Sequence, residues 1–232
     1  MRTRVYDGPF RYIIIDFVGP MTESSRGYKY MFTAVCAWSG WYWAIPTVDN
    51  DALTAAQCIF ERVICDIAGY PTCIGSDRGN AFIESIVKSL CEYFGIKQVI
   101  GTAYHPQAQA AVERPHREYK QICRTFMKKT TDWDIQAAIF QWTIRTTSRL
   151  FNANYSPYEV ITGLKPRLPT DAMFSGSQEP ERLSTEEYVN DLVKYLKHVH
   201  QHVNQQHREI AEQRQEAKYR ELGPGSGIAG GD

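Results

Sequence analysis

Between Arg11 and Gly101, apolar runs of strand length and segments of helical spacing follow one another in an order that few architectures accommodate. Tyr12–Val18 is an apolar, β-branched run, and two aromatic-rich segments, Tyr28–Trp38 and Trp41–Pro46, meet at Ser39-Gly40. Together they read as a strand followed by a hairpin. From Asp51 to Ile67 the apolar residues Leu53, Ala56, Ile59, Phe60 and Val63 fall at helical spacing, and Gly69-Tyr70-Pro71 stops the segment. Thr72–Ser76 is then a short strand, Ala81–Phe94 a helix stopped by Gly95, and Ile96–Ile100 another strand. Three strands, helix, strand, helix, strand is an α/β order. After a loop from Gly101 to Ala111, helices are predicted at about Val112–Met127 and Trp133–Leu150, then a short one capped by Ser156-Pro157.

Three acids punctuate these elements. Asp16 closes Tyr12-Ile13-Ile14-Ile15 and opens the turn Phe17-Val18-Gly19-Pro20; Asp77 stands in Ser76-Asp77-Arg78-Gly79-Asn80-Ala81-Phe82; Glu113 follows His105-Pro106-Gln107 and precedes Arg114. Between Asp77 and Glu113 lie 113 minus 77 minus 1, or 35, residues. Taken singly each acid has a structural reading: a strand-end turn, an Asp-x-Gly turn, a helix-start acid favoured by the macrodipole. Taken together, three acids at element ends can share divalent ions. Two such ions about 3.5–4 Å apart can activate an oxygen nucleophile and stabilise the leaving oxygen of a phosphodiester. Magnesium takes hard oxygen ligands and keeps part of its water shell, so no His or Cys is needed.

At these residues, D-x-x-G-P, S-D-x-G-x-x-F and H-P-Q followed by E-R, the chain resembles the catalytic core of retroviral and long-terminal-repeat retrotransposon integrases, most closely the gypsy-type branch. The likeness covers roughly Arg11 to Phe174. It implies a ribonuclease-H-like fold, a mixed five-stranded sheet flanked by helices, with Asp16 on the first strand, Asp77 just beyond the fourth and Glu113 on a helix crossing the same edge. It further implies Mg²⁺ or Mn²⁺ bound by Asp16, Asp77 and Glu113, and a polynucleotidyl transferase that processes the 3′ ends of element DNA and joins them to target DNA. Tyr104, His105 and Gln107 match the family's DNA-contacting loop, although a lone Tyr-His pair in a loop is also compatible with packing and capping. Element and target DNA are the partners implied, along with further copies of the chain, and the nucleus is the place of action.

Composition sets bounds on this reading. The chain has 232 residues, 43% of them hydrophobic, enough for one main domain. Its six cysteines form no C-x-x-C pair and read as reduced core residues of an intracellular protein. No signal peptide or membrane-spanning run is apparent in the sequence. Lys plus Arg equals Asp plus Glu at 26 each, whereas dedicated nucleic-acid binders are often basic. The basic residues are nevertheless concentrated from Arg114 to Lys129, where Arg117, Lys120, Arg124 and Lys128 would share a helical face. That stripe is either a solvated face or, as favoured here because the helix begins at Glu113, a DNA contact made by Arg114, Arg117, Lys120 and Arg124.

Residues 1–10 are read as a lead-in, 11–174 as the core, 181–222 as an amphipathic helical extension and 223–232 as a flexible tail. In the extension Val189, Leu192, Val193, Leu196, Val199 and Val203 recur at three and four residues, so the stripe needs the core or a second subunit as partner. His198, His200, His202 and His207 are read as a solvated helix face rather than a zinc site. The family's flanking zinc-binding and C-terminal domains have no counterpart in the sequence, which suggests a polyprotein fragment or a repurposed copy. Ala108-Gln109-Ala110-Ala111 stands where the family has a glycine, Pro115 follows Glu113 closely, and His116 replaces a common Asn. A second reading therefore stays open: an inactive core acting as a DNA- or protein-binding module.

Overall fold

Alternation along β1 (Tyr12–Val18) decides the architecture, because its two faces are both apolar and each must be covered. The computed structural model describes residues 8–101, 131–148, 154–174 and 184–222. β1 pairs antiparallel with β2 (Tyr30–Cys36), which pairs antiparallel with β3 (Tyr42–Thr47). On its other side β1 pairs parallel with β4 (Cys73–Ser76), and β4 with β5 (Lys97–Ile100). The order is β3-β2-β1-β4-β5, a mixed five-stranded sheet of the ribonuclease-H-like kind.

One face, carrying Ile13, Ile15, Phe32, Ala34, Trp43 and Ile74, packs under α1 (Ala52–Gln57), the wider π-helical turn Cys58–Ile64 that continues it, α2 (Asn80–Ile83) and α3 (Ser85–Tyr93). The opposite face, with Tyr12, Ile14, Val18, Met31, Val35 and Tyr42, receives Trp133, Ala137 and Ile144 of α4 (Trp133–Thr146). α4 also shields edge strand β3: Gln141 Oε1 accepts from Ala44 N at 2.8 Å, and Arg145 Nε donates to Tyr42 O at 2.8 Å. Those groups would otherwise be open for pairing with another strand. Burial pushes the Arg145 guanidinium down to about 10.

The single helix expected over Ala81–Phe94 is two. Glu84 takes extended backbone (φ −69°, ψ 156°) between α2 and α3. Phe82 and Val87 are both buried, yet five residues apart on one helix they would diverge by roughly 140°; the break lets both reach the core. Buried Cys58 and Cys91 fit the expected core role, their thiols pushed by burial up to about 12 and about 11. Cys65 is exposed, and Cys123 lies outside the described residues.

α5 (Pro157–Thr162) is capped as expected: Ser156 Oγ accepts from Glu159 N at 3.2 Å while Glu159 Oε2 accepts from Ser156 N at 2.8 Å. A short helix α6 (Pro169–Phe174) follows, then α7 (Thr185–Leu222). α7 lies back on the core: Val199 and Val203 are fully buried with Trp38 and Val160, and Trp38 Nε1 donates to Asn204 Oδ1 at 2.7 Å. Val189 and Val193, the start of the apolar stripe, are exposed. His198 is exposed, as expected of a solvated face, but His200 and His202 depart from that expectation. His200 bonds Val160 O through Nε2 at 3.0 Å and stands edge-on to Trp38; His202 Nε2 is 3.1 Å from Asn154 Nδ2. They sit on the flank of the buried valines, so the docking of α7 carries them into the contact.

Gly163 makes the seat for α7. It ends α5 in left-handed backbone (φ 71°), and a Cβ there would lie 2.7 Å from Leu192 Cδ1 and 3.0 Å from Leu196 Cγ. Gly163→Ala should cost about 1–2 kcal/mol from backbone conformation alone and loosen α7 selectively. Hydrogen exchange should accelerate over 192–203 with β1–β3 protection retained; equal acceleration throughout, or none, would contradict this seat.

Candidate functional site

Asp16 and Asp77 emerge from the same edge of the sheet on the same face. Side chains alternate along a strand, and Asp16 is in phase with Tyr12, Ile14 and Val18, all packed on the α4 side. Asp77 directly follows β4 and is in phase with Cys73, which packs on that side as well. The parallel register pairs Tyr12 with Cys73 and Ile14 with Gly75; continued two residues, it brings Asp16 level with Asp77. Neighbouring strands are about 4.8 Å apart. Asp16 is half-buried and Asp77 exposed.

Local contacts account for the residue types around each acid. Asp77 Oδ1 accepts from Gly79 N at 2.9 Å, closing an Asx turn. A Cβ at Gly79 would come 3.0 Å from that oxygen and 3.4 Å from the Phe82 ring, so any side chain there would press on the turn. Phe82, 2% exposed, stacks on Phe17 with centroids 5.5 Å apart and planes at 13°. Phe17 is the residue after Asp16, so this stack ties the two acid-bearing segments together. Gly75 admits the Tyr12 ring across β4, since a Cβ there would fall 2.2 Å from the Tyr12 hydroxyl oxygen. The sequence reading singled out neither the Phe17–Phe82 stack nor the Tyr12–Gly75 contact; the phenylalanine of the S-D-x-G-x-x-F pattern was the one signal pointing to the first.

The loop leaving β1 is clasped to the start of α4. Trp133 Nε1 donates to Thr22 O at 2.7 Å, Ser25 N donates to Thr131 O at 3.0 Å, and Arg26 forms an ion pair with the fully buried carboxylate of Asp134. At the other end, Gly101 N donates to Ser76 O at 2.8 Å, one residue before Asp77. Gly101 is thus tied beside the residue preceding Asp77, and Thr131 is tied to Ser25 in the loop after β1. Glu113, Tyr104, His105, Gln107, Arg114, Arg117, Lys120 and Arg124 all belong to the segment between them and lie outside the described residues. Among the described residues no third His, Cys, Asp or Glu joins the acid pair.

The donor chemistry of the two carboxylates, hard oxygen ligands, suits a hard cation, and among the described residues no group of three or more His, Cys, Asp or Glu that could hold a metal forms. Among the described residues, no helix is long and apolar enough to cross a membrane.

Comparison with known proteins finds relatives in sequence. Residues 7–106 match the integrase core domain family. The retrovirus-related Pol polyprotein from transposon 412 of Drosophila melanogaster is 33% identical over 168 residues, 72% of this chain and 13% of that protein. The Gag-Pol polyprotein of avian reticuloendotheliosis virus is 32% identical over 156 residues, 66% of this chain and 13% of that protein. A crystal structure of the catalytic core domain of BIV integrase superposes with a TM-score of 0.49 at 24% identity, covering 65% of this chain and 93% of the other. The chain spans 13% of the length of each of these two polyproteins. Residues 7–106 thus match the integrase core domain family, and over 72% of its length the chain is similar to a retrovirus-related Pol polyprotein.

Proposed function

We propose that this chain is a divalent-metal-dependent polynucleotidyl transferase of DNA integration, which trims the 3′ ends of element DNA and joins them to target DNA. The observation that carries the proposal is the parallel β1–β4 register, Tyr12 with Cys73 and Ile14 with Gly75, whose continuation by two residues would bring Asp16 level with Asp77. These two carboxylates would hold Mg²⁺ or Mn²⁺, with Glu113 as the third ligand. Glu113 is assigned from the H-P-Q followed by E-R pattern and its 35-residue spacing from Asp77. The metal supplies an activated oxygen nucleophile and charge stabilisation for the leaving oxygen. Glu113 helps orient or deprotonate the nucleophile. Tyr104, His105 and Gln107 contact DNA beside the acids, and Arg114, Arg117, Lys120 and Arg124 hold phosphates, a sequence-blind interaction that weakens with salt. The active form is a homo-oligomer that acts in the nucleus.

Calorimetric titration with Mn²⁺, paired with joining of a labelled 3′-hydroxyl duplex to plasmid DNA, tests the proposal. Saturable Mn²⁺ binding together with metal-dependent joined product is the expected result. An absence of binding would overturn it and leave the inactive DNA- or protein-binding module as the reading.

A further inference from the structure

Thr33 stands out in β2 as a polar residue in an apolar setting. It is 0% exposed, its chain neighbours are Phe32 and Ala34, and Met31 and Val35 lie on its own face. A buried hydroxyl costs free energy unless it is hydrogen-bonded, and a valine would fill the same space. The hydroxyl has one donor proton, and it goes to the backbone carbonyl of Asp16, Thr33 Oγ1 to Asp16 O, at 3.0 Å. Thr33 is also the residue directly opposite Asp16 in the β1–β2 register. Opposed residues present their side chains to the same face with Cβ atoms about 4.5–5.5 Å apart.

From this we infer that Thr33 is a positioning residue for the Asp16 carboxylate as a metal ligand. The bond fixes the peptide plane at Asp16 and so the direction of its Cα–Cβ bond. Because the single hydroxyl proton is engaged by the carbonyl, the hydroxyl does not compete for the carboxylate oxygens. Groups that orient a ligand typically contribute about 10–100-fold in metal affinity. The inference rests on the proposed role of Asp16 and adds a residue to it that touches neither metal nor DNA.

The test compares Thr33→Val, Thr33→Ser and the wild type as full chains, reading Mn²⁺ affinity by calorimetry and metal-free melting temperature. Thr33→Val keeps the shape and is expected to weaken Mn²⁺ binding by about 10–100-fold, with the metal-free melting temperature little changed. Thr33→Ser, which keeps the donor, should retain affinity close to wild type. If Thr33→Val does not fold, Thr33→Ala carries the same comparison. Equal Mn²⁺ affinity in Thr33→Val and wild type, or equal weakening in Thr33→Ser and Thr33→Val, overturns the inference while leaving metal binding at Asp16 intact. A wild type that binds no Mn²⁺ overturns instead the functional reading beneath it.

Discussion

Asp77→Asn, and separately Asp16→Asn, should each lower DNA joining by on the order of 10³-fold while leaving the fold in place. The size follows from the several kcal/mol that metal ions contribute to transition-state charge stabilisation, at 1.36 kcal/mol per decade of rate. The fold should survive because an asparagine oxygen can still accept from Gly79 N, as Asp77 Oδ1 does at 2.9 Å, and because Asp16 is held through its backbone by Thr33. Metal-free stability should even rise slightly, since two like charges level on adjacent strands no longer repel. The added stability seen with Mn²⁺, a linkage effect of binding to the folded state, should disappear. Melting curves with and without Mn²⁺, run beside the joining assay, check both halves. Retained joining in either variant would remove that acid from the catalytic set.

Much of this geometry was legible from residue order. Apolar, β-branched and aromatic-rich runs placed the five strands and helical spacing the first helix, because burial on both sheet faces leaves a continuous apolar record in Tyr12–Val18 and in Tyr28–Trp38. The D-x-x-G-P and S-D-x-G-x-x-F patterns singled out Asp16 and Asp77, and at the second a Cβ on Gly79 would stand a tight 3.0 Å from Asp77 Oδ1. What sequence could not supply were relations between distant segments. Nothing in the local pattern says that Phe17 stacks on Phe82, that Thr33 faces Asp16, or that the start of α4 grips the loop after β1; those follow from register and topology. The break at Glu84 was invisible for a related reason: the apolar spacing of Ala81–Phe94 fits one helix tolerably, and only the position of the core under Phe82 and Val87 distinguishes one helix from two. The α7 stripe was expected to meet a second copy in preference to the core; Val199 and Val203 meet the core, and Val189 and Val193 are exposed. Which half of it meets the core was decided by the groove beside Trp38 and Gly163, not by the stripe.

Removing the Arg26 side chain should be among the most destabilising single changes outside the core. Asp134 has 0% of its side chain exposed, while Arg26 is 55% exposed, so the pair is asymmetric: the arginine reaches in from solvent to a carboxylate that has no solvent of its own. Arg26→Ala would leave that charge uncompensated between α4 and the sheet. Breaking a buried pair from one side costs about 3–5 kcal/mol, and partial exposure of Arg26 puts the expected loss near the lower end, about 3 kcal/mol. Asp134→Asn in the Arg26→Ala background should recover part of it, because the charge that needed a partner is gone, and a double-mutant cycle measured by urea denaturation would isolate the coupling. The consequence reaches the site. The same clasp anchors Thr131, where residues 102–130 rejoin the described chain. Arg26→Ala should therefore also speed hydrogen exchange at the start of α4 and weaken Mn²⁺ binding, if Glu113 is held in place from that end. A loss below about 1 kcal/mol, the range of ordinary surface pairs, would show that the ion pair is incidental and that Trp133 and Ser25 carry the clasp without it.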